Sequence, residues 1–206
     1  MTSEYDDYRW GPVSGKPATP SLVDETGCLW DNNQLVYEHA SADDVEKEIR
    51  AQIDRAETMG IKITHLDSHM GTLFRNPEFL ERAVKVAMEK QIPLLMVGRN
   101  PMAQQVWDSG LPVIDHIHSD SYNWRTTDKS PHFMEAFRNL KPGITEMIVH
   151  PTKPNDVIGV INGNRDHLYG DYTGLIDPEV KKVLEEEGII LTTWRELKER
   201  RDKVGK

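Results

Sequence analysis

Apolar residues recur along this chain with two periodicities, one typical of helices and one of strands. Between Ser41 and Gly60 they return every three or four positions from position 45 to 56, the stripe of an amphipathic helix. Ser41 is a favourable N-cap for this helix, and Gly60 is a favourable stop. Residues 92–97 are instead apolar without interruption, over a length that suits a buried strand.

The same patterns along the whole chain predict helices that alternate with strands. The predicted helices begin near residues 41, 77, 102, 133, 178 and 194. The predicted strands lie near residues 61–66, 92–97, 113–117, 143–149 and 189–192. This alternation is typical of an α/β fold with a largely parallel sheet, whose functional side chains collect at the carboxyl ends of the strands. Residues 162–174, rich in Gly, Asn and Asp, are predicted to form a loop.

Residues 1–40 differ from the rest of the chain. They show little periodicity and are punctuated by proline and glycine, so we expect an extended loop region within a single domain of residues 1–206. The segment is rich in aromatic residues, which argues against simple disorder: Tyr5, Tyr8, Trp10, Trp30 and Tyr37. These rings could stack on the apolar faces of sugars, and packing onto the domain is the alternative.

Composition excludes several classes of function. The net charge of −9 over 206 residues, without a basic stripe, argues against a nucleic-acid partner. No apolar run has membrane-spanning length, and the acidic start is unlike a signal peptide, so we expect a cytoplasmic protein without a membrane partner. The single Cys28 excludes an internal disulfide and a cysteine-based zinc site.

Candidate chemistry is concentrated where the strand near 61–66 ends. His65, Asp67 and His69 alternate in sequence and would share one face of an extended segment. Burying two imidazoles and a carboxylate is costly unless they bind a ligand or one another. Such groups suit a divalent ion such as Zn²⁺, Co²⁺, Mn²⁺ or Mg²⁺. The alternative is a hydrogen-bonded structural pair, which is the common state of buried polar groups.

Other polar residues follow later strands. Glu146 and His150 share a face, and an imidazole oriented by a carboxylate suits a general acid. Arg99 could hold a carbonyl oxygen, while His116 and His118 could contact substrate. Solvated surface positions are the alternative for all of these. Because no Gly-rich phosphate loop or Gly-x-Ser-x-Gly elbow occurs, metal-assisted hydrolysis is favoured over phosphoryl transfer and serine hydrolysis.

Several segments together resemble the YdjC-like carbohydrate deacetylases, in the family's order and along nearly the whole chain. They are residues 20–24 (Pro-Ser-Leu-Val-Asp) with Trp30, 48–53 (Glu-Ile-Arg-Ala-Gln-Ile), 64–69 (Thr-His-Leu-Asp-Ser-His), 144–151 (Ile-Thr-Glu-Met-Ile-Val-His-Pro) and 188–197 (Gly-Ile-Ile-Leu-Thr-Thr-Trp-Arg-Glu-Leu). The resemblance implies a deformed (β/α) barrel of the polysaccharide-deacetylase type. It also implies removal of N-acetyl groups from amino-sugar oligosaccharides with a divalent metal ion, Mg²⁺ or Zn²⁺. His69 matches the family's metal-ligand histidine, and His150 matches a histidine suited to a general-acid or substrate-contact role.

The chain departs from the family pattern at its start. The family begins with an Asn-Ala-Asp-Asp-Phe-Gly-like motif and a Gly-Leu-His-Leu-like segment, which supply metal ligands and a base, and neither occurs here. Gly71 also stands where many members carry a further histidine. We therefore expect a barrel incomplete at its N-terminus, with impaired activity and an exposed strand edge that could pair in a homodimer. A non-catalytic carbohydrate-binding remnant of the family is the alternative.

Overall fold

The computed structural model describes residues 1–153, 156–162 and 166–204. Their contacts divide the chain into two compact units. The first unit is made of residues 1–96, 100–113 and 193–206, and the second of residues 97–99 and 114–192. The described residues form α-helices and a small parallel sheet, which is the mixed α/β content that the sequence predicts.

Nine α-helices occur in the described residues: α1 (Asn33–His39), α2 (Ala42–Thr58), α3 (Pro77–Lys90), α4 (Ala103–Asp108), α5 (Ser130–Arg138), α6 (Asp156–Asn162), α7 (Asp166–Leu175), α8 (Pro178–Glu186) and α9 (Trp194–Val204). Two strands, β1 (His116–His118) and β2 (Thr145–Met147), pair in parallel with Ile117 opposite Glu146. Within this part of the chain, every helix is too short or too polar to cross a bilayer.

Helices α2 and α3 form the centre of the first unit. The Ser41 side chain accepts a hydrogen bond from the Asp44 backbone N–H, and the Asn76 side chain accepts from Glu78, so both predicted caps are present. The buried faces of the two helices belong to one hydrophobic core, which includes Val45, Ile49, Ile53, Phe79, Leu80, Ala83, Val84 and Ala87. The helical periodicity of the sequence therefore marks the faces that pack.

The segment 1–40, for which the sequence predicts an extended loop, contains helix α1 and a short 3-10 turn at Pro20–Leu22. Three of its aromatic residues, Trp10, Trp30 and Tyr37, pack against the core of the first unit. Trp30 also donates from Nε1 to the Ser21 carbonyl at 3.0 Å. These rings are used for packing, the alternative to sugar stacking that the sequence left open.

The second unit is built on α5, α7 and α8 beside the two paired strands. Phe133 and Phe137 of α5 pack with Val180 and Val183 of α8 in a small hydrophobic core. His118 closes β1 at its carboxyl end, and the chain after β2 leads directly to the residues of the candidate site.

The sheet is smaller than the sequence predicts. In the first unit, Leu66 and Leu94 form an isolated parallel bridge, and in the second unit Val97 and Ile114 form another. Parallel pairing of successive predicted strands is therefore present, but most of their residues lie outside regular strands. The described residues show this small parallel sheet and not a closed barrel, so the barrel stays a prediction.

The last predicted strand, 189–192, does not form in the described structure. Its residues have no strand pairing, and Ile190 and Leu191 are 82% and 76% exposed. A strand is defined by backbone hydrogen bonds to a neighbour, so an apolar run without a neighbour remains irregular however strong its β-propensity.

The loop predicted over 162–174 is wrong for most of its length, because the chain forms helix α7 there; residues 163–165 lie outside the described residues. The glycines that suggested a loop serve packing instead. A Cβ added to Gly170 would lie 2.9 Å from Cγ of Lys129. A Cβ added to Gly174 would come similarly close to a side chain of α5. Glycine at these positions allows α7 to approach α5 and the segment before it closely.

Candidate functional site

The predicted metal ligand His69 lies in a short 3-10 turn, His69–Gly71, of the first unit. Its Nε2 lies 2.9 Å from Oε1 of Glu4, a residue that the sequence did not single out. The other Glu4 oxygen is buried and has no hydrogen-bond partner in the described part of the chain. Met70, next in the turn, has a left-handed φ of 55°, and Asn33 donates from its side-chain amide to the Met70 carbonyl. The imidazole of His69 is therefore paired with a carboxylate and carried on a well-anchored turn.

His65 and Asp67, the other predicted metal ligands, have separate environments. The His65 ring stacks on Trp194, with centroids 5.3 Å apart and planes 12° from parallel. Burial lowers the pKa of His65, an effect that the negative charge of Asp67 partly opposes. Asp67 itself is exposed and accepts a hydrogen bond from the Ser68 backbone N–H at 2.6 Å.

The donor set does not fit a held metal ion. In residues 1–153, 156–162 and 166–204, no three His, Cys, Asp or Glu side chains are arranged to bind one. The pair of His69 and Glu4 offers two donors, and a tightly held divalent ion needs more. The divalent ion stays a prediction from the sequence, and no chemical step is assigned to it.

A cavity of about 430 Å³ lies within the first unit beside the His69 turn. Its apolar wall includes Ile49 and Ile53 of α2, and its polar end includes Thr64, His65 and His69. A concave, mostly apolar space with a few convergent polar groups is typical of ligand sites.

Aromatic and imidazole rings gather at the carboxyl ends of β1 and β2 in the second unit. We call this group the ring cluster, and its members are His118, Tyr122, Trp124, His132, His150 and His167. The two strand ends are joined by the Ile148 backbone N–H, which donates to the His118 carbonyl at 2.9 Å. The His150 ring meets Tyr122 edge to face, with centroids 5.5 Å apart and planes at 73°.

The outer members of the ring cluster make further contacts with Trp124 and with Tyr122. The Trp124 ring stacks on His132, with centroids 5.1 Å apart. The Tyr122 ring meets His167 edge to face at 5.5 Å and lies 5.0 Å from the Arg125 guanidinium. Nη1 of Arg125 is 3.0 Å from Nε2 of His167. Because a guanidinium has only donors, that ring nitrogen is the acceptor and carries no proton.

His118 contributes an unsatisfied polar atom to the ring cluster. Its Nδ1 is buried and has no hydrogen-bond partner among the described residues, while its Nε2 lies 4.0 Å from the Asp120 carboxylate. Buried polar atoms in proteins are nearly always hydrogen-bonded, so this unpaired ring nitrogen is an exception.

The three predicted catalytic residues all belong to the second unit. His150 is exposed after β2 and joins the ring cluster. Glu146 is half-buried at the centre of β2. Arg99 is exposed in the turn that follows Val97. The carboxylate that holds the His150 backbone is Asp171, whose Oδ2 accepts from the His150 N–H at 2.8 Å.

Sequence reasoning missed most of the ring cluster and its supports. Tyr122 and Trp124 lie in a polar segment without periodicity, and His167 and Asp171 lie in the stretch predicted as a loop. The available signal was the presence of two aromatic residues in an otherwise polar loop that follows a strand. Nothing in the spacing could show that α7 returns to that loop.

Comparison with known proteins identifies a family and several relatives that this chain resembles. The model of the YdjC-like protein family matches residues 6–186. A carbohydrate deacetylase from Brevibacillus brevis is 35% identical over 181 residues, covering 86% of this chain and 71% of the relative. One from Thermus thermophilus is 26% identical over 210 residues, covering 97% of this chain and 75% of the relative.

A solved structure from Enterococcus faecalis V583, described as that of a candidate cellobiose-phosphate cleavage protein, has the same fold. It superposes with a TM-score of 0.78 at 24% identity, covering 91% of this chain and 72% of that one. With the family match over most of its length, the chain belongs to the YdjC-like protein family.

Proposed function

We propose that this protein is a hydrolase that removes N-acetyl groups from amino-sugar oligosaccharides. Its relatives are named carbohydrate deacetylases, and the family match extends over residues 6–186. The observation that carries the proposal is the position of the His150 imidazole, exposed and in contact with Tyr122 after the end of β2. Parallel α/β proteins hold their reacting groups at the carboxyl ends of strands.

Hydrolysis of the N-acetyl group requires a proton donor at the position of His150. In amide hydrolysis, water adds to the acetyl carbonyl carbon, the C–N bond breaks, and the leaving nitrogen must gain a proton because an amide anion is a poor leaving group. An imidazole titrates close to neutral pH and can deliver that proton. We therefore assign His150 as the general acid, with its ring oriented by the edge of Tyr122.

Other residues of the second unit have supporting roles in the proposal. Arg99, which is exposed, is assigned to the acetyl carbonyl oxygen, where its cationic fork can stabilise developing negative charge. Glu146 is assigned to hold the His150 tautomer. The half-buried rings of Tyr122 and Trp124 offer apolar surface for the faces of sugar rings.

Binding of a divalent ion, Mg²⁺ or Zn²⁺, is a separate part of the proposal, and no step of the reaction is assigned to it. His69 with Glu4 is the best pair of donors for it in the first unit. Metal binding is measured separately from activity, by calorimetric titration of Mg²⁺ or Zn²⁺ into the metal-free protein and into His69→Ala. Equal binding by both proteins would remove His69 from the proposed ligands.

The test of the proposed activity is acetate release from N-acetylglucosamine oligomers, with and without added Mg²⁺ or Zn²⁺. We expect His150→Gln to lower kcat by about 10²- to 10⁴-fold, the usual contribution of a general acid. His116→Gln is the matched control, since His116 begins β1 and its Nε2 lies 3.2 Å from the Pro142 carbonyl oxygen. No turnover under any condition would contradict the activity, and equal losses in both variants would contradict the role of His150.

A non-catalytic carbohydrate-binding protein is the second candidate. It is favoured by one observation, that the described residues gather no group of three metal-binding side chains. It predicts that the protein binds N-acetylglucosamine oligomers with an affinity unchanged by a chelator, and without acetate release.

A further inference from the structure

A buried ion pair lies beneath the ring cluster. Nζ of Lys129 is 2.8 Å from Oδ1 of Asp171, and both side chains are completely buried. Lys129 is the residue that precedes α5, and Asp171 belongs to α7. Withdrawing two charges from water costs free energy, and a pair of apolar side chains would often stabilise the fold equally well. The other hydrogen bonds of the pair indicate a role beyond stability.

Each partner of the pair also holds the backbone beside a ring of the cluster. Nζ of Lys129 donates to the Ser121 carbonyl at 2.7 Å, one residue before Tyr122. Oδ2 of Asp171 accepts from the His150 backbone N–H at 2.8 Å. The two backbone segments are thus tied to opposite ends of one ion pair. Hydrogen bonds to charged groups are shorter and stronger than neutral ones, so these are firm anchors.

Ser121 connects the same segments a second time. Its hydroxyl lies 3.2 Å from the Ile148 carbonyl and 3.4 Å from Oδ2 of Asp171, and the residue is completely buried. The turn that carries Tyr122 and the chain that leads to His150 are therefore held to each other and to the pair. The edge-to-face contact of the Tyr122 and His150 rings rests on this buried network.

We propose that the Lys129–Asp171 pair is the positioning element of the ring cluster, which fixes the His150 imidazole against Tyr122. The role in catalysis rests on the proposed deacetylation, while the positioning of the ring does not. The pair touches neither substrate nor the reacting atoms and acts through the backbone. A displacement of about 1 Å in a catalytic group can cost about 100-fold in rate, so such anchoring has a measurable effect.

The decisive variant is Lys129→Met combined with Asp171→Leu. It leaves no unpaired charge and keeps the volume apolar, so it is expected to melt cooperatively, at a temperature lowered by the lost partners of the Ser121 carbonyl and the His150 N–H. It leaves the His150 N–H without its acceptor. We expect kcat to fall about 10- to 100-fold, with KM within about twofold of wild type, because positioning acts on the reacting geometry.

Lys90→Met combined with Asp54→Leu is the matched control. These residues also form a Lys–Asp salt bridge, at 2.9 Å, but in the first unit and with Asp54 65% exposed. The same two substitutions there should leave kcat and KM at wild-type values. A loss of kcat equal to that of the Lys129/Asp171 variant would mean that the substitutions act generally, and would overturn the proposal.

A second readout does not depend on activity. Nuclear magnetic resonance of protein with isotope-labelled histidine, assigned with His150→Gln, reports on the His150 amide and ring. The Lys129/Asp171 variant should shift the amide signal away from its position beside a carboxylate and alter the ring signals. Unchanged His150 signals together with wild-type kcat would overturn the proposal.

The two proposals fail separately. If wild-type protein releases no acetate, the proposed function fails, and the His150 signals alone then support or overturn the positioning role. If the double variant does not fold, Asp171→Glu replaces it. The longer side chain keeps a carboxylate opposite Lys129 but displaces the acceptor of the His150 N–H, so the same changes in kcat and in the His150 signals are expected.

Discussion

The ammonium of Lys129 meets the carboxylate of Asp171 at 2.8 Å in a part of the second unit where neither side chain reaches solvent. Such a pair has asymmetric energetics. Removing both charges can leave stability nearly unchanged, whereas removing one leaves the other buried without compensation.

The single variant Lys129→Met is therefore expected to lower the free energy of unfolding by about 3–5 kcal/mol. Urea or thermal unfolding measures the change. Lys181→Met is the control, because Lys181 is 77% exposed and lies 3.9 Å from Glu185, and it should change stability by no more than about 0.5 kcal/mol. Equal effects of the two variants would mean that the Asp171 carboxylate is not buried as the structure describes.

Glu46 of α2 gives the protein an acid-sensitive stabilisation. Its carboxylate accepts hydrogen bonds from Arg50, Lys85 and Arg82, and these cations lower its pKa from 4.5 to about 2. The folded pKa lies below the unfolded value, so the stabilisation is present above about pH 4.5 and is lost as the pH falls toward 2.

Glu46→Gln should accordingly destabilise the protein by about 1 kcal/mol at neutral pH, after allowance for solvent screening of the half-exposed cations. The difference from wild type should shrink as the pH is lowered. Urea unfolding at a series of pH values tests this, and a difference independent of pH would assign the effect to something other than the charge of Glu46.

His65 should affect stability in a higher pH range. Burial lowers its pKa below the ordinary value of 6.5, so the unfolded chain takes up a proton that the folded chain resists. Stability contributed by neutral His65 is complete above about pH 6.5 and is lost as the pH falls below it.

His65→Phe keeps a ring that can stack on Trp194 but cannot be protonated. We expect unfolding free energy to fall less steeply in this variant than in wild type as the pH is lowered from about 7 to about 5. Parallel curves for the two proteins would show that His65 does not titrate differently on folding.

Gly170 is required by the close approach of α7 to the segment that precedes α5. A Cβ there would lie 2.7 Å from the Thr126 carbonyl oxygen and 2.9 Å from Cγ of Lys129. Gly170→Ala should therefore cost about 1–3 kcal/mol in the free energy of unfolding. Gly159 of α6 is the matched control, since an added Cβ there meets no atom of the described residues within 4 Å. Gly159→Ala should stabilise by about 0.5–1 kcal/mol, the helical preference of alanine over glycine.

Local features of this protein could be predicted from its sequence because they depend on near neighbours in the chain. Ser41 and Asn76 cap their helices through backbone groups two or three residues away, and the apolar stripe of α2 follows from helical geometry alone. The same is true of the family relationship, which rests on short segments in a fixed order.

Contacts between distant segments were decided only by tertiary structure. Glycines in α7 resemble loop punctuation in the sequence, yet they are needed because another helix passes close to them. His69 pairs with Glu4 across 65 residues, and the His150 backbone is held by Asp171 across 21. No periodicity relates such residues, because the packing of helices and loops sets their distance. The sequence by itself therefore determined the helical faces, their caps and the family, while packing decided which polar groups meet.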